Sequence, residues 1–187
     1  MGKISFHNTI NVVTDIETES EQPNSAIVSI GLVKFGLTTE EGRLIFDSHY
    51  CEVNPESNSP LTHMSHGTQE WWKDQNKPSG LTPIITALQQ VNAFCENADF
   101  LWGHGASFDN VILYQNMLMH CVTPTRVIAD FRDWSDTRTY FRAADFDFNA
   151  FKDANIADSD RHHAANDAMV EAKAIIETYF KLQLRGK

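Results

Sequence analysis

The chain has 187 residues, 42% apolar and 21% charged, with a formal net charge of −10. That length makes one domain with a sizeable core, residues 1–187, and that composition excludes a disordered chain and a membrane protein. The acidic balance excludes a general basic coat for nucleic acid, so any polyanion must be met locally, by a few side chains or by bound cations.

Cys51, Cys95 and Cys121 are odd in number and far apart, which argues against a disulfide framework and for a reducing compartment. Met1 to Phe6 lacks the apolar stretch of a signal peptide. Phe6 stands where a myristoylation signal wants Ser or Thr. No apolar run reaches the ~18 residues of a spanning helix. A cytoplasmic protein with no membrane attachment is expected.

In chain order, Ile10 to Glu17 (INVVTDIE) is rich in β-branched residues and reads as a strand. Ala26 to Phe35 is nearly all apolar, as in a strand covered on both faces. Leu37 to Gly42 reads as a hairpin loop, and Arg43 to Val53 as a third strand by its alternation. Short connections make these three antiparallel neighbours. Thr68 is expected to cap a short helix containing Trp71 and Trp72. Thr82 and Pro83 read as cap and first position of a helix whose buried face is Ile84, Ile85, Leu88, Val91, Phe94 and Cys95. Asp99 to Gly103 reads as a strand, Asp109 to His120 as a helix and Arg126 to Asp130 (RVIAD) as a last strand. The polar stretch from Asp133 to Asp160 carries no clear period. Ala168, Ala172, Ile175, Ile176, Tyr179 and Leu182 make the apolar stripe of a terminal helix. Helical crossovers make the later strands parallel. The expected fold is therefore α/β, a mixed five-stranded sheet flanked by helices, in the element order of the ribonuclease H-like fold.

The informative feature is where the acids fall. Asp15 and Glu17 end the first strand, and a period of two puts both carboxylates on one face while Ile16 points into the core. Asp109 follows two glycines in WGHGASFDN at the start of a helix, where Ser107 or Asp109 is also a candidate cap. Asp167 opens the terminal helix in RHHAANDAM, just after His162 and His163. Taken singly each acid has a plain reading as a solvated strand end or a helix-dipole partner. Jointly they fall where a mixed sheet brings them to one edge. Carboxylates so gathered repel unless cations sit among them, and an all-oxygen donor set suits Mg²⁺ or Mn²⁺ rather than Zn²⁺. Two such ions about 3.5–4 Å apart can clamp the attacking and leaving oxygens of a phosphodiester. His63 and His66 lack the further partners of a structural zinc site.

Asp15-Ile-Glu17-Thr18, Ser107-Phe108-Asp109 and His162 five residues before Asp167 resemble the three motifs of the DEDDh 3′→5′ exonucleases. Glu70-Trp71-Trp72, the run from Trp102 to Asn110 and Asp136-Thr-Arg138-Thr139 are similar to a narrower branch, the phage exonuclease A-type and ribonuclease AS-like enzymes. Matching segments run from about Asn11 to Phe180. Two departures stand. His104 is followed by Gly105 where many members have Asn, and Thr18 is followed by Glu19 where Gly is common.

The resemblance implies a two-metal exonuclease releasing nucleoside 5′-monophosphates from the 3′ ends of single-stranded RNA or DNA, with RNA favoured. It implies Asp15, Glu17, Asp109 and Asp167 as ligands of two Mg²⁺ or Mn²⁺ ions and His162, rather than His163, as general base. Thr18, His66, Trp71 and Phe108 are the candidate substrate contacts. Trp71 and Trp72 are expected to divide, one in the core and one near the site. Arg138 is read as a salt-bridge partner, with phosphate contact as the alternative. A homodimer is a further candidate assembly. A non-catalytic scaffold on the same fold is the competing class.

Overall fold

The structure, a computed structural model, describes residues 9–37, 47–75, 77–157 and 160–185. Its elements are β1 (Thr9–Thr18), β2 (Ile27–Leu37), β3 (Asp47–Glu52), α1 (His66–Lys73), α2 (Ile84–Phe94), β4 (Phe100–Gly103), α3 (Asp109–Met119), α4 (Arg126–Ala129), β5 (Trp134–Asp136), α5 (Thr137–Ala143), α6 (Phe148–Asn155) and α7 (Ala164–Arg185). The five strands lie in the order β3-β2-β1-β4-β5. β1, β2 and β3 pair antiparallel, while β4 and β5 run parallel to β1. The expected mixed sheet of the ribonuclease H-like fold is the one observed.

Side-chain alternation splits the core in two. Val12, Ile16, Leu32 and Leu101 face a cluster built with α2 and α3. Val13, Val33 and Trp102 face a cluster built with α5 and α7. Two hydrogen bonds satisfy polar side chains within this core. The Trp102 indole N–H donates to Asn11 Oδ1 at 2.9 Å, and Asn116 Nδ2 donates to the Ser25 carbonyl at 3.0 Å. The alternation also fixes the acids. Asp15 and Glu17 share the parity of Val13 and so lie on the α7 face. At the end of β1 the register shifts between Glu17 and Thr18, which re-aims the chain as it leaves the sheet.

Several sequence expectations are corrected. Arg126 to Asp130 is not a strand: residues Arg126–Ala129 form the helical turn α4, and the fifth strand is Trp134–Asp136. Val127 and Ile128 are buried from a helical turn, as a short apolar run allows in either conformation. Ser65, not Thr68, caps α1, its hydroxyl accepting from the Thr68 N–H. Thr82 bridges to Val53 instead of capping α2, and Pro83 takes the cap position. The Ile84 N–H is met by Ser57 Oγ at 2.8 Å. Ile85 is 47% exposed, and Ala87 fills the buried face in its place. Neither Ser107 nor Asp109 caps α3, whose cap residue is Phe108. The hairpin loop and the start of the third strand, residues 38–46, lie outside the described residues. The three cysteines are free. Among the described residues no helix is long and apolar enough to cross a membrane.

Candidate active site

The carboxylates meet at the C-terminal edge of the parallel strands, where open α/β sheets place their sites. Asp15 and Glu17 come from β1. Asp109 arrives on the first turn of α3, where the Ile16 backbone N–H donates to its Oδ1 at 3.3 Å. Asp167 comes from the first turn of α7, and its Oδ2 accepts the His162 backbone N–H at 3.1 Å. Ligand atoms of Glu17, His162 and Asp167 all lie within 4.8 Å of one another.

Burial and mutual repulsion hold Asp15, Glu17 and Asp109 toward their neutral forms. Asp15 is pushed well above the carboxylate range, first by burial and then by the charges of Asp109, Glu17, Glu171 and Asp167. Glu17 is pushed up to about 7 by burial and Asp167, with Lys152 pulling the other way. Asp109 is pushed up to about 7 by burial, against backbone hydrogen bonds and the charge of Arg138.

Two further groups border the nest. Glu171 is buried one helical turn after Asp167, with Oε1 3.3 Å from His104 Nδ1. Burial drives the Glu171 carboxyl up, and drives His104 down to about 4. Both shifts favour the uncharged forms, which weakens any ion pairing between the two groups. Lys152 of α6 supplies the one ammonium in contact with the acids among the described residues, 2.6 Å from Asp167 Oδ1. Glu171 had a sequence signal, its spacing of four from Asp167 inside an otherwise apolar stripe. Lys152 had none, because it lies in the stretch without a period.

The two histidines separate. His162 is exposed, with its ring edge-on to Trp71 at 5.0 Å and its φ at +58°. Its left-handed backbone turns the chain into α7 while the N–H reaches Asp167. His163 instead stacks on Tyr50 at 4.3 Å. The two tryptophans divide as well. Trp72 is buried, its indole N–H donating to the Thr18 carbonyl at 3.0 Å. Trp71 is 38% exposed and shares a cleft of about 440 Å³ with Glu17, Thr18 and Phe108. His66 is turned to solvent, 3.7 Å from Glu70, and does not line that cleft. Among the described residues no carboxylate pairs with Arg138, so the expected salt bridge does not form.

The ribonuclease H-like sheet gathers four carboxylates and a histidine at its parallel-strand edge, and the sequence falls in a family defined by an exoribonuclease domain. The family model of the 3′-5′ exoribonuclease Rv2179c-like domain matches residues 10–179, and the chain belongs to that family. Solved structures of exonuclease I share the fold. The E. coli enzyme in complex with a dT13 oligonucleotide superposes with a TM-score of 0.69 at 14% identity, over 95% of this chain and 43% of that one. The zinc-bound E. coli complex with single-stranded DNA gives 0.65 at 14%, over 96% and 42%. A product-bound exonuclease I gives 0.64 at 13%, over 94% and 45%. The chain thus spans less than half the length of these proteins. No curated protein matches it in sequence.

Proposed function

We propose that this chain is a divalent-cation-dependent 3′→5′ exonuclease that releases nucleoside 5′-monophosphates from single-stranded nucleic acid, with RNA preferred over DNA. The observation that carries the reading is the nest of Asp15, Glu17, Asp109 and Asp167 with His162 at its rim. The nest fits hard cations, since its donors are carboxylate oxygens and the buried Asp15 carboxyl is repelled by Asp109, Glu17, Glu171 and Asp167. Asp15, Glu17, Asp109 and Asp167 would hold two Mg²⁺ or Mn²⁺ ions. Bound there, such ions supply charge neutralisation at the scissile phosphate and an acidified water.

The chain's own groups do the rest. His162 stands on the solvent side of Glu17 and Asp167, where its imidazole nitrogen can take the proton of the attacking water. Trp71 offers an exposed indole for stacking the terminal base, a contact worth about 1–3 kcal/mol. Phe108 walls the same cleft, and Thr18 borders it at the end of β1. The exoribonuclease character of the family supports RNA. The acidic chain favours a single strand, since a long duplex would demand many basic phosphate contacts.

The test is one gel with 5′-labelled single-stranded RNA, single-stranded DNA and duplex, in Mg²⁺, Mn²⁺ or EDTA. The expected result is a ladder that loses one nucleotide at a time in either metal, fastest on RNA, and none in EDTA or with Asp15→Ala. Binding without shortening in any metal would instead assign a non-catalytic scaffold.

A further inference from the structure

We propose that the cleft between α5, α6 and His104 is a second nucleic-acid subsite that grips backbone phosphates of the strand 5′ to the scissile bond, an assignment that rests on the exonuclease reading above. The cleft encloses about 370 Å³, within the range of ligand sites. Arg138 and Arg142, four residues apart on α5, both line it. Among the described residues no carboxylate pairs with either guanidinium. That is notable in so acidic a chain, because Arg126, Arg132 and Arg161 each pair with an aspartate. Two planar forks left free on one face suit phosphate oxygens.

The other walls agree with that ligand. Phe146 and Phe148 give the cleft aromatic surface, and Asn149 adds a polar amide. Stacking rings beside cationic forks are how single strands are held without reading sequence. One acid lines the cleft, Asp147, and its carboxylate is already engaged, accepting the Ala150 N–H at 3.0 Å as the cap of α6.

Placement ties the cleft to the catalytic nest. His104 lines it and lies 3.3 Å from Glu171, and the charge of Arg138 is felt at both Asp109 and Glu171. The cleft of Trp71 and Phe108 opens beside the end of β1, and this one is walled by His104, which follows β4, and by α5, which follows β5. A strand with its 3′-terminal nucleotide against Trp71 therefore crosses the carboxylates and runs its next phosphates over Arg138 and Arg142.

The test compares steady-state cleavage of an RNA dinucleotide and an RNA decamer in Mg²⁺ across a salt series. For R138Q/R142Q the decamer KM should rise about tenfold at low salt, and the slope of log(1/KM) against log salt should fall by about 1.4. The preference for decamer over dinucleotide should collapse. R138K/R142K should keep most of the slope, which separates lost charge from a damaged fold. Equal losses on both substrates, or an unchanged salt slope in R138Q/R142Q, would overturn the subsite while leaving the exonuclease reading in place. A wild-type protein that shortens neither oligonucleotide would overturn both.

Discussion

The Lys152 ammonium lies 2.6 Å from the Asp167 carboxylate and reaches from α6 onto the first turn of α7. Its charge also pulls against the upward shifts of Glu17 and Glu171. One fixed cation thus offsets part of a five-acid cluster. A divalent ion that engages Asp167 must compete with it. Lys152→Met keeps the aliphatic stem and removes the charge. The metal-free variant should melt lower than wild type. With a pairing worth about 1 kcal/mol no longer in competition, it should bind Mn²⁺ about fivefold tighter by calorimetric titration. Weaker Mn²⁺ binding in the variant would show that the ammonium supports the ion rather than competing with it.

His162 and His163 are adjacent in sequence and opposite in surroundings. The first meets Trp71 and the carboxylates, the second Tyr50. His162→Ala should leave Mn²⁺ binding and melting temperature near wild type while kcat falls by about 10²–10⁴, the span of a lost general base. His163→Ala should act through packing, with a lower melting temperature and a smaller loss of kcat. If His163→Ala were the more damaging to kcat, the base has been assigned to the wrong ring.

Much of this site is legible in the chain, for definite reasons. That Asp15 and Glu17 share one face is legible because a strand's period of two is independent of what packs on it. That Asp109 and Asp167 lie in the first turns of helices is legible because each precedes an apolar stripe at helical spacing. The division of Trp71 from Trp72 is legible in kind but not in which residue does which. That depends on the Thr18 carbonyl being at hand to accept the Trp72 indole N–H. RVIAD misleads because its three apolar or small residues fit a strand or a helical turn equally, and the helical turn is tied down by Trp134, whose indole N–H donates to the Val127 carbonyl at 3.1 Å. Lys152 is illegible because only the packing of α6 on α7 brings it to Asp167, and no local pattern encodes that packing.

The raised carboxylates make metal-free stability depend on pH with a definite sign. Glu17 and Asp109 are held up to about 7 in the fold, against about 4 in an unfolded chain. Below about 4 both states are protonated and the contribution is fully present. As pH rises through about 7 the unfolded chain has released its protons while the folded nest resists, so stability is lost across that window. Melting in EDTA should therefore fall between about pH 5 and pH 8, and Mn²⁺ should flatten the decline. Asp109→Asn keeps the shape and can still accept the Ile16 N–H. It should raise metal-free stability at pH 8 on the order of 2 kcal/mol, lessen the pH slope and abolish turnover. A metal-free melting temperature that climbs over the same pH range would contradict the burial of these acids.

Gly31 is the cross-strand partner of Asp15 on β1 and of Tyr50 on β3. It also lies where α7 packs tightly on the sheet: a Cβ added there would lie 2.2 Å from the Ala164 backbone carbon and oxygen. That oxygen and carbon belong to the first residue of the helix that carries Asp167, just after His162. A helix start cannot yield as a flexible side chain can, so Gly31→Ala must lift the first turn of α7 away from Asp15. Overpacking of this kind costs about 1–3 kcal/mol. The larger effect should fall on the site, because a displacement of about 1 Å at the chemistry can cost 10²-fold in rate. Gly36→Ala is the control on the same strand, since its added Cβ meets only the Thr9 carbonyl oxygen at 3.8 Å. Assayed at a temperature where both variants are folded, Gly31→Ala should lose Mn²⁺ affinity and kcat together while Gly36→Ala keeps both. Wild-type kcat in Gly31→Ala would mean that the approach of α7 to β2 does not set the distance between Asp15 and Asp167.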